Sequence, residues 1–247
     1  MASREVTYNG HKFSINYEIE NPSAKTDIVH LHGWGSSKDV SKACFNSTLP
    51  EFRHIFIDMP GFGKSSNKTI LTTKDYYHIV DLFLKDLKVK KDIVTGHSFG
   101  GKVATLLNPK LLVLLSSAGI VPPKPLKVRV KIKLFKLLKS LGLGSFYKLF
   151  ASKDVDNMSQ NMYETFKNVV DERFDEVFKN YNGKTLIFWG KEDTATPLKS
   201  GELIHSYIQN SLFYPLEGDH YFFTKPQNKE FIAKKIEEVY DKMHTKE

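Results

Sequence analysis

The stretch Gly96-His97-Ser98-Phe99-Gly100-Gly101 carries residue types suited to covalent chemistry. A serine hydroxyl is a poor nucleophile at neutral pH unless its surroundings activate it. The β-type run Asp92-Ile93-Val94-Thr95 precedes this serine, and the helix-compatible run Lys102-Val103-Ala104-Thr105-Leu106-Leu107 follows it. A strand, G-x-S-x-G and a helix define a turn so tight that the residues flanking the serine can carry almost no side chain, a demand that Gly96 and Gly100 meet. Such a turn strains Ser98 and lifts its hydroxyl above the end of a sheet. It also directs the Phe99 N–H toward the place where an oxyanion would form.

An activated serine needs a base, and the base needs an orienting group. Two later loops offer them. Lys184-Thr185-Leu186-Ile187-Phe188-Trp189 reads as a strand and runs into Gly190-Lys191-Glu192-Asp193-Thr194-Ala195-Thr196-Pro197. Asp193 is the candidate acid, with its neighbour Glu192 as the fallback. Leu212-Phe213-Tyr214-Pro215-Leu216 reads as an edge strand, the position its proline suits, and Glu217-Gly218-Asp219-His220-Tyr221 follows. His220 is the candidate base, because it sits in a glycine-containing loop downstream of both Ser98 and Asp193. His11, His54, His78 and His205 fall on periodic or surface segments and have ordinary structural explanations. Asp58 also ends a strand. Its turn, Asp58-Met59-Pro60-Gly61-Phe62-Gly63, and its place before the serine point to a structural role, accepting backbone N–H bonds.

The elements that must position these residues follow from patterning. Asn9-Gly10 between two β-type runs is a hairpin signal, and Phe13, Ile15, Tyr17 and Ile19 alternate as in a strand with one buried face. Asp27-Ile28-Val29-His30-Leu31 is the next strand and enters His32-Gly33-Trp34-Gly35. The Trp34 N–H is a candidate second oxyanion donor; an ordinary strand-to-helix turn with a packing tryptophan is the other reading. Thr73 is expected to cap a helix reaching residue 88, with Tyr77, Val80, Phe83, Leu84 and Leu87 at helical spacing. Leu111-Leu112-Val113-Leu114-Leu115 is a continuous apolar run, as in a parallel strand covered on both faces. A tail helix is expected over 228–243.

The character of the chain changes at Ile120. Pro122, Pro123 and Pro125 interrupt regular structure, and residues 124–153 contain no acidic side chain while holding much of the excess positive charge. From Lys131 onward the basic and apolar residues alternate as on an amphipathic helix, and a more acidic helical stretch covers 159–180. Residues 120–183 are therefore expected to form a helical cap inserted between two parts of a core, 1–119 and 184–247. The basic stretch has three readings: a solvated face, which leads; a weak contact with an anionic membrane surface; or attraction of an anionic substrate.

The chain as a whole sets bounds. It has 247 residues, 40% hydrophobic, with a formal net charge of +8, enough for one sizeable α/β core. The single cysteine, Cys44, cannot form an internal disulfide, and Met-Ala-Ser-Arg-Glu-Val at the start lacks an apolar signal region, so a cytoplasmic location is expected. No apolar run is long enough to span a bilayer. No Cys/His cluster suggests a metal, no cofactor motif is visible, and positive charge without a dedicated motif does not argue for nucleic acid.

Together these residues resemble the α/β-hydrolase fold superfamily. The resemblance rests on His32-Gly33-Trp34-Gly35, Asp58-Met59-Pro60-Gly61-Phe62-Gly63-Lys64-Ser65, the Ser98 turn, Trp189-Gly190-Lys191-Glu192-Asp193 and Gly218-Asp219-His220, in the superfamily's order of Ser, Asp, His. It covers nearly all of the chain except the cap. It implies a mostly parallel eight-stranded sheet flanked by helices, with the cap after strand six. It also implies a Ser98–His220–Asp193 triad, an oxyanion hole from Trp34 and Phe99, and no cofactor. Serine at the turn distinguishes the chain from dehalogenases and epoxide hydrolases, which use aspartate there. The expected activity is hydrolysis of a small carboxylic ester. The alternatives are cleavage of a C–C bond in a β-diketone-like compound, or ligand binding with vestigial turnover. Substrate-binding residues beyond these are not legible.

Overall fold

The computed structural model describes residues 2–121 and 158–245. The basic stretch 124–153 and most of the first half of the expected cap lie outside the described residues. The strands are β1 (Ala2–Tyr8), β2 (His11–Glu20), β3 (Thr26–Leu31), β4 (Phe52–Ile57), β5 (Ile93–His97), β6 (Leu111–Leu115), β7 (Lys184–Gly190) and β8 (Ser211–Leu216). They form one eight-stranded sheet in the order β1-β2-β4-β3-β5-β6-β7-β8. The β1–β2 and β2–β4 pairs are antiparallel, and every later pair is parallel. Asn9 and Gly10 both take positive φ, 48° and 77°, as a two-residue hairpin turn with the sheet's twist requires.

Seven α-helices are numbered along the described residues: α1 (Lys38–Phe45), α2 (Thr73–Asp86), α3 (Phe99–Leu107), α4 (Gln160–Val169), α5 (Asp175–Lys179), α6 (Leu198–Tyr207) and α7 (Pro226–His244). The period-2 alternation of the central strands sorts their side chains onto two faces. Val29, Leu31, Val94, Leu112, Leu114, Ile187 and Trp189 pack with α2, α3 and α6. Ile28, Ile93, Leu111, Val113, Leu115, Leu186 and Phe188 pack with α1 and α7. Because both faces are covered, Leu111–Leu115 is apolar at every position and buried at every position.

Two expectations need correction. The cap of α2 is Thr72, not Thr73: Thr72 and Asp75 form a reciprocal capping box, in which each side chain satisfies the other's backbone N–H. The acidic stretch 159–180 is not one helix. It divides into α4 and α5, and the intervening turn bonds back to the core through Phe174 N–H to the Gly119 carbonyl, 2.8 Å. Tyr76, fully buried, joins Tyr77, which packs partly buried against the same core, and donates to the Pro60 carbonyl.

Candidate active site

The tight turn forms as expected. Ser98 sits between β5 and α3 with φ 50° and ψ −116°, a strained conformation for a residue with a Cβ that costs on the order of 1–3 kcal/mol. The surroundings hold it there. Its N–H donates to the Leu115 carbonyl at 3.1 Å, and its carbonyl accepts from Ala118 N–H at 2.9 Å and Gly101 N–H at 3.0 Å. The flanking glycines permit this closeness: a Cβ on Gly96 would lie 2.5 Å from the Gly100 carbonyl oxygen, and one on Gly100 would lie 2.5 Å from that of Leu31.

Asp193 and His220 come together across the ends of β7 and β8. His220 Nδ1 lies 2.7 Å from Asp193 Oδ2. A carboxylate only accepts, so Nδ1 carries the proton and Nε2 is left with a lone pair. Asp193 is itself fixed by its loop, with Oδ1 accepting from the Ala195 and Thr196 N–H groups, each at 2.9 Å, and Oδ2 from the Thr196 hydroxyl at 2.9 Å. Burial acts to raise its pKa, but the bonds from His220, Thr196 and Ser116 outweigh it and hold the carboxyl at about 2. Glu192, the fallback, is exposed and takes no part. Gly190 lets the His220 loop cross: a Cβ there would meet the Asp219 carbonyl oxygen at 2.2 Å.

Ser98 and His220 are neighbours through His97, whose ring centroid is 4.6 Å from that of His220. The Ser98 hydroxyl makes no hydrogen bond to a described residue, including His220; such bonds commonly tighten only around substrate. The Phe99 and Trp34 N–H groups donate to no described residue. The Trp34 ring packs on Phe62, Phe99 and Phe166.

The Gly33 loop is set from below. His32 Nε2 accepts from Met59 N–H at 3.0 Å, so its Nδ1 carries the proton and donates to the Gly33 carbonyl at 2.7 Å. Burial lowers the pKa of this ring. Asp58 accepts from the backbone N–H groups of Lys38, 2.8 Å, and Lys64, 3.0 Å, the structural role anticipated for it. Gly63 (φ 55°) passes so close that a Cβ would strike the Asp58 carboxyl.

A cavity of about 330 Å³ opens at Ser98, lined by Trp34, Phe99, Phe166, Val169 and Thr196 among others. A larger, shallower depression of about 700 Å³ lies between the end of α3 and α5. Its lining holds no serine or cysteine beside a histidine. Lys102, one turn beyond Ser98 on α3, was not singled out from the sequence. It is 1% exposed and donates to the Val169 carbonyl at 2.8 Å and to Glu172 at 2.7 Å. Burial lowers its pKa, and Glu172 works in the opposite direction. This lysine ties the end of α4, one wall of the cavity, to the helix that carries the serine turn. Its one signal in sequence is a cation within an otherwise apolar helix. Among the described residues, no three His, Cys, Asp or Glu side chains converge as metal ligands would, and no helix is long and apolar enough to cross a membrane.

Fold and site geometry together define a class. Residues 28–232 match the model of the alpha/beta hydrolase family, and the chain belongs to that family. It is 25% identical to an uncharacterised hydrolase of Bacillus subtilis, over 94% of this chain and 96% of that protein. It is 31% identical to the pimeloyl-[acyl-carrier protein] methyl ester esterase of Vibrio campbellii, over 60% of this chain and 64% of that one. In fold it is similar to an esterase from Exiguobacterium antarcticum, with a TM-score of 0.71 at 22% identity, covering 93% of this chain and 96% of the other. These relatives support a hydrolytic enzyme.

Proposed function

We propose that the protein is a serine hydrolase of carboxylesterase type, cleaving a small carboxylic ester through an acyl-enzyme. Ser98 Oγ attacks the ester carbonyl while His220 Nε2 takes its proton, and Asp193 holds the imidazole tautomer and stabilises the imidazolium. The N–H groups of Phe99 and Trp34 bind the tetrahedral oxyanion, each donor worth about 3 kcal/mol in the transition state. Collapse breaks the ester C–O bond, and His220 returns the proton to the departing alkoxide. Water then attacks the acyl-enzyme with His220 again as base, releasing the carboxylic acid and restoring Ser98.

The single observation that carries this reading is the part-buried Asp193–His220 bond of 2.7 Å, packed through His97 against the strained serine turn where the cavity opens. The esterase activity in the name of the Vibrio relative favours an ester over a C–C substrate. Residues 120–183 are read as the cap: Phe166, Val169 and Val170 line the cavity from the segment between β6 and β7. The lone, buried Cys44 fits a reducing, cytoplasmic setting.

Turnover of p-nitrophenyl acetate by the parent protein and by Ser98→Ala tests the proposal. The expected result is hydrolysis by the parent, loss of activity in the variant with an unchanged circular dichroism spectrum, and labelling of Ser98 by a fluorophosphonate. Equal turnover by both proteins removes Ser98 from the mechanism. A parent protein that binds esters without releasing product points to ligand binding instead.

A further inference from the structure

His97 occupies the variable position just before the serine, is 2% exposed and is not among the residues lining the cavity. Its Nε2 lies 3.0 Å from the backbone carbonyl oxygen of His220, across 123 residues of sequence. A carbonyl oxygen only accepts, so Nε2 must carry the proton. The other edge of the ring faces the Gly33 loop: a Cβ on Gly33 would come within 3.0 Å of His97 Nδ1. The ring also forms a floor for the segment after β8. Its centroid lies 4.6 Å from the His220 ring, 5.0 Å from Tyr221 and 4.8 Å from Phe223. One imidazole therefore touches the serine turn it belongs to, the loop carrying Trp34, and the loop carrying His220.

We infer that His97 is a positioning residue, whose Nε2–H holds the His220 carbonyl, and with it the loop bearing the base, at a set height over the turn bearing the nucleophile. This rests on the proposed roles of Ser98, Asp193 and His220. The Asp193 bond fixes the His220 ring at Nδ1, and the loop is tied on either side by Glu192 N–H to the Gly218 carbonyl and by Asn228 to the Glu217 and Phe222 carbonyls, which leaves the His220 peptide between them to be set. The His97 bond sets that peptide, holding the His220 carbonyl directly. Burial, reinforced by the neighbouring His220, holds His97 neutral with a pKa of about 3, so the donor persists with a single proton at Nε2 across the physiological range. A neutral ring is required, since a charged one would sit unsolvated beside Gly33.

The test compares His97→Phe, which keeps the ring and loses the donor, with His97→Gln, whose amide nitrogen can reach the same carbonyl. Both are assayed on p-nitrophenyl acetate beside the parent and Ser98→Ala. An ångström-scale drift of the base is expected to lower kcat of His97→Phe by roughly a hundred-fold. KM should change by less than about two-fold, because no substrate contact is lost. His97→Gln should recover most of kcat. If His97→Phe keeps parental kcat while Ser98→Ala is inactive, the role assigned to His97 is wrong and the esterase reading stands. If Ser98→Ala retains turnover, the reading itself falls. Nitrogen-15 NMR of the parent protein decides the matter even if His97→Phe does not fold. A His97 ring protonated at Nε2 and unchanging between pH 5 and 8 supports the inference; protonation at Nδ1, or titration within that range, overturns it.

Discussion

Acidification should destabilise this protein before its carboxylates titrate, and the reason lies in its buried histidines. His30 and His54 are fully buried on the α1 side of the sheet, their rings nearly coplanar at 5°. His54 Nε2 donates to the Leu49 carbonyl at 3.1 Å, so His54 Nδ1 must accept from His30 Nε2 at 3.0 Å, and His30 Nδ1 must accept from the Thr95 hydroxyl at 2.9 Å. Every ring nitrogen is satisfied with both rings neutral; a proton added at His54 Nδ1 would set donor against donor, and one added at His30 Nδ1 would place a charge in a fully buried site. Burial, aided by His54, lowers the pKa of His30 well below its ordinary value, and burial, with the neighbouring His220 acting in the same direction, takes His97 down to about 3. The folded values lie below the unfolded one, so the unfolded chain binds protons first. The stabilisation is complete above about pH 6.5 and is lost as pH falls below it. At about pH 5.5 each such ring costs about 1.4 kcal/mol relative to pH 8, roughly 3 kcal/mol for His30 and His97 together. His32 and His54, lowered by burial as well, act in the same direction. In a domain of this size that corresponds to a fall in Tm of about 6–12 °C, read from the fluorescence of Trp34 and Trp189 on heating. A Tm unchanged to within about 2 °C over that interval would show that these rings take up protons in the fold, and the reasoning would be refuted.

Other outcomes follow from the same geometry. Asp193→Asn should lower kcat by about 10³–10⁴-fold on a chromogenic ester, since an amide can donate to His220 Nδ1 and hold the wrong tautomer; a loss under about ten-fold would speak against Asp193 as the orienting acid. Lys102→Met should cost roughly 1–3 kcal/mol in urea unfolding, because the Val169 carbonyl loses its donor and Glu172 is left with Thr73 alone. The same variant should raise KM more than it lowers kcat, as the α4 wall of the cavity loosens, and unchanged KM would detach Lys102 from the substrate side. Gly100→Ala drives a Cβ to 2.5 Å from the Leu31 oxygen, a clash of backbone on backbone that should cost about 3 kcal/mol or more and depress soluble expression.

Much of the architecture was legible because its signals are local. Strands announce themselves by alternation or by continuous apolar runs, and Asn9-Gly10 accepts positive φ wherever it stands. The serine turn was legible for the same reason: Gly96 and Gly100 record close approaches that exclude any side chain. Errors fell where neighbours a residue or two apart had equivalent propensity, as with Thr72 against Thr73. They also fell where a long polar stretch was broken by contact with the core, as between α4 and α5, since the Phe174 bond to Gly119 lies outside any local pattern.

Sequence alone therefore determined the order of elements, the strained serine and the pool of candidate acids and bases, because each depends on steric or hydrophobic demands within a few residues. Tertiary structure decided which candidates meet. Asp193 faces His220 while Glu192 faces solvent, a difference of side-chain direction that no composition records. His97 reaches His220 across 123 residues, Lys102 reaches Glu172 across 70, and His30 reaches His54 across 24. His30 meets His54 because β3 and β4 pair in parallel, and the other two links form where packed helices and loops bring distant segments together and an unpaired buried polar atom would be costly.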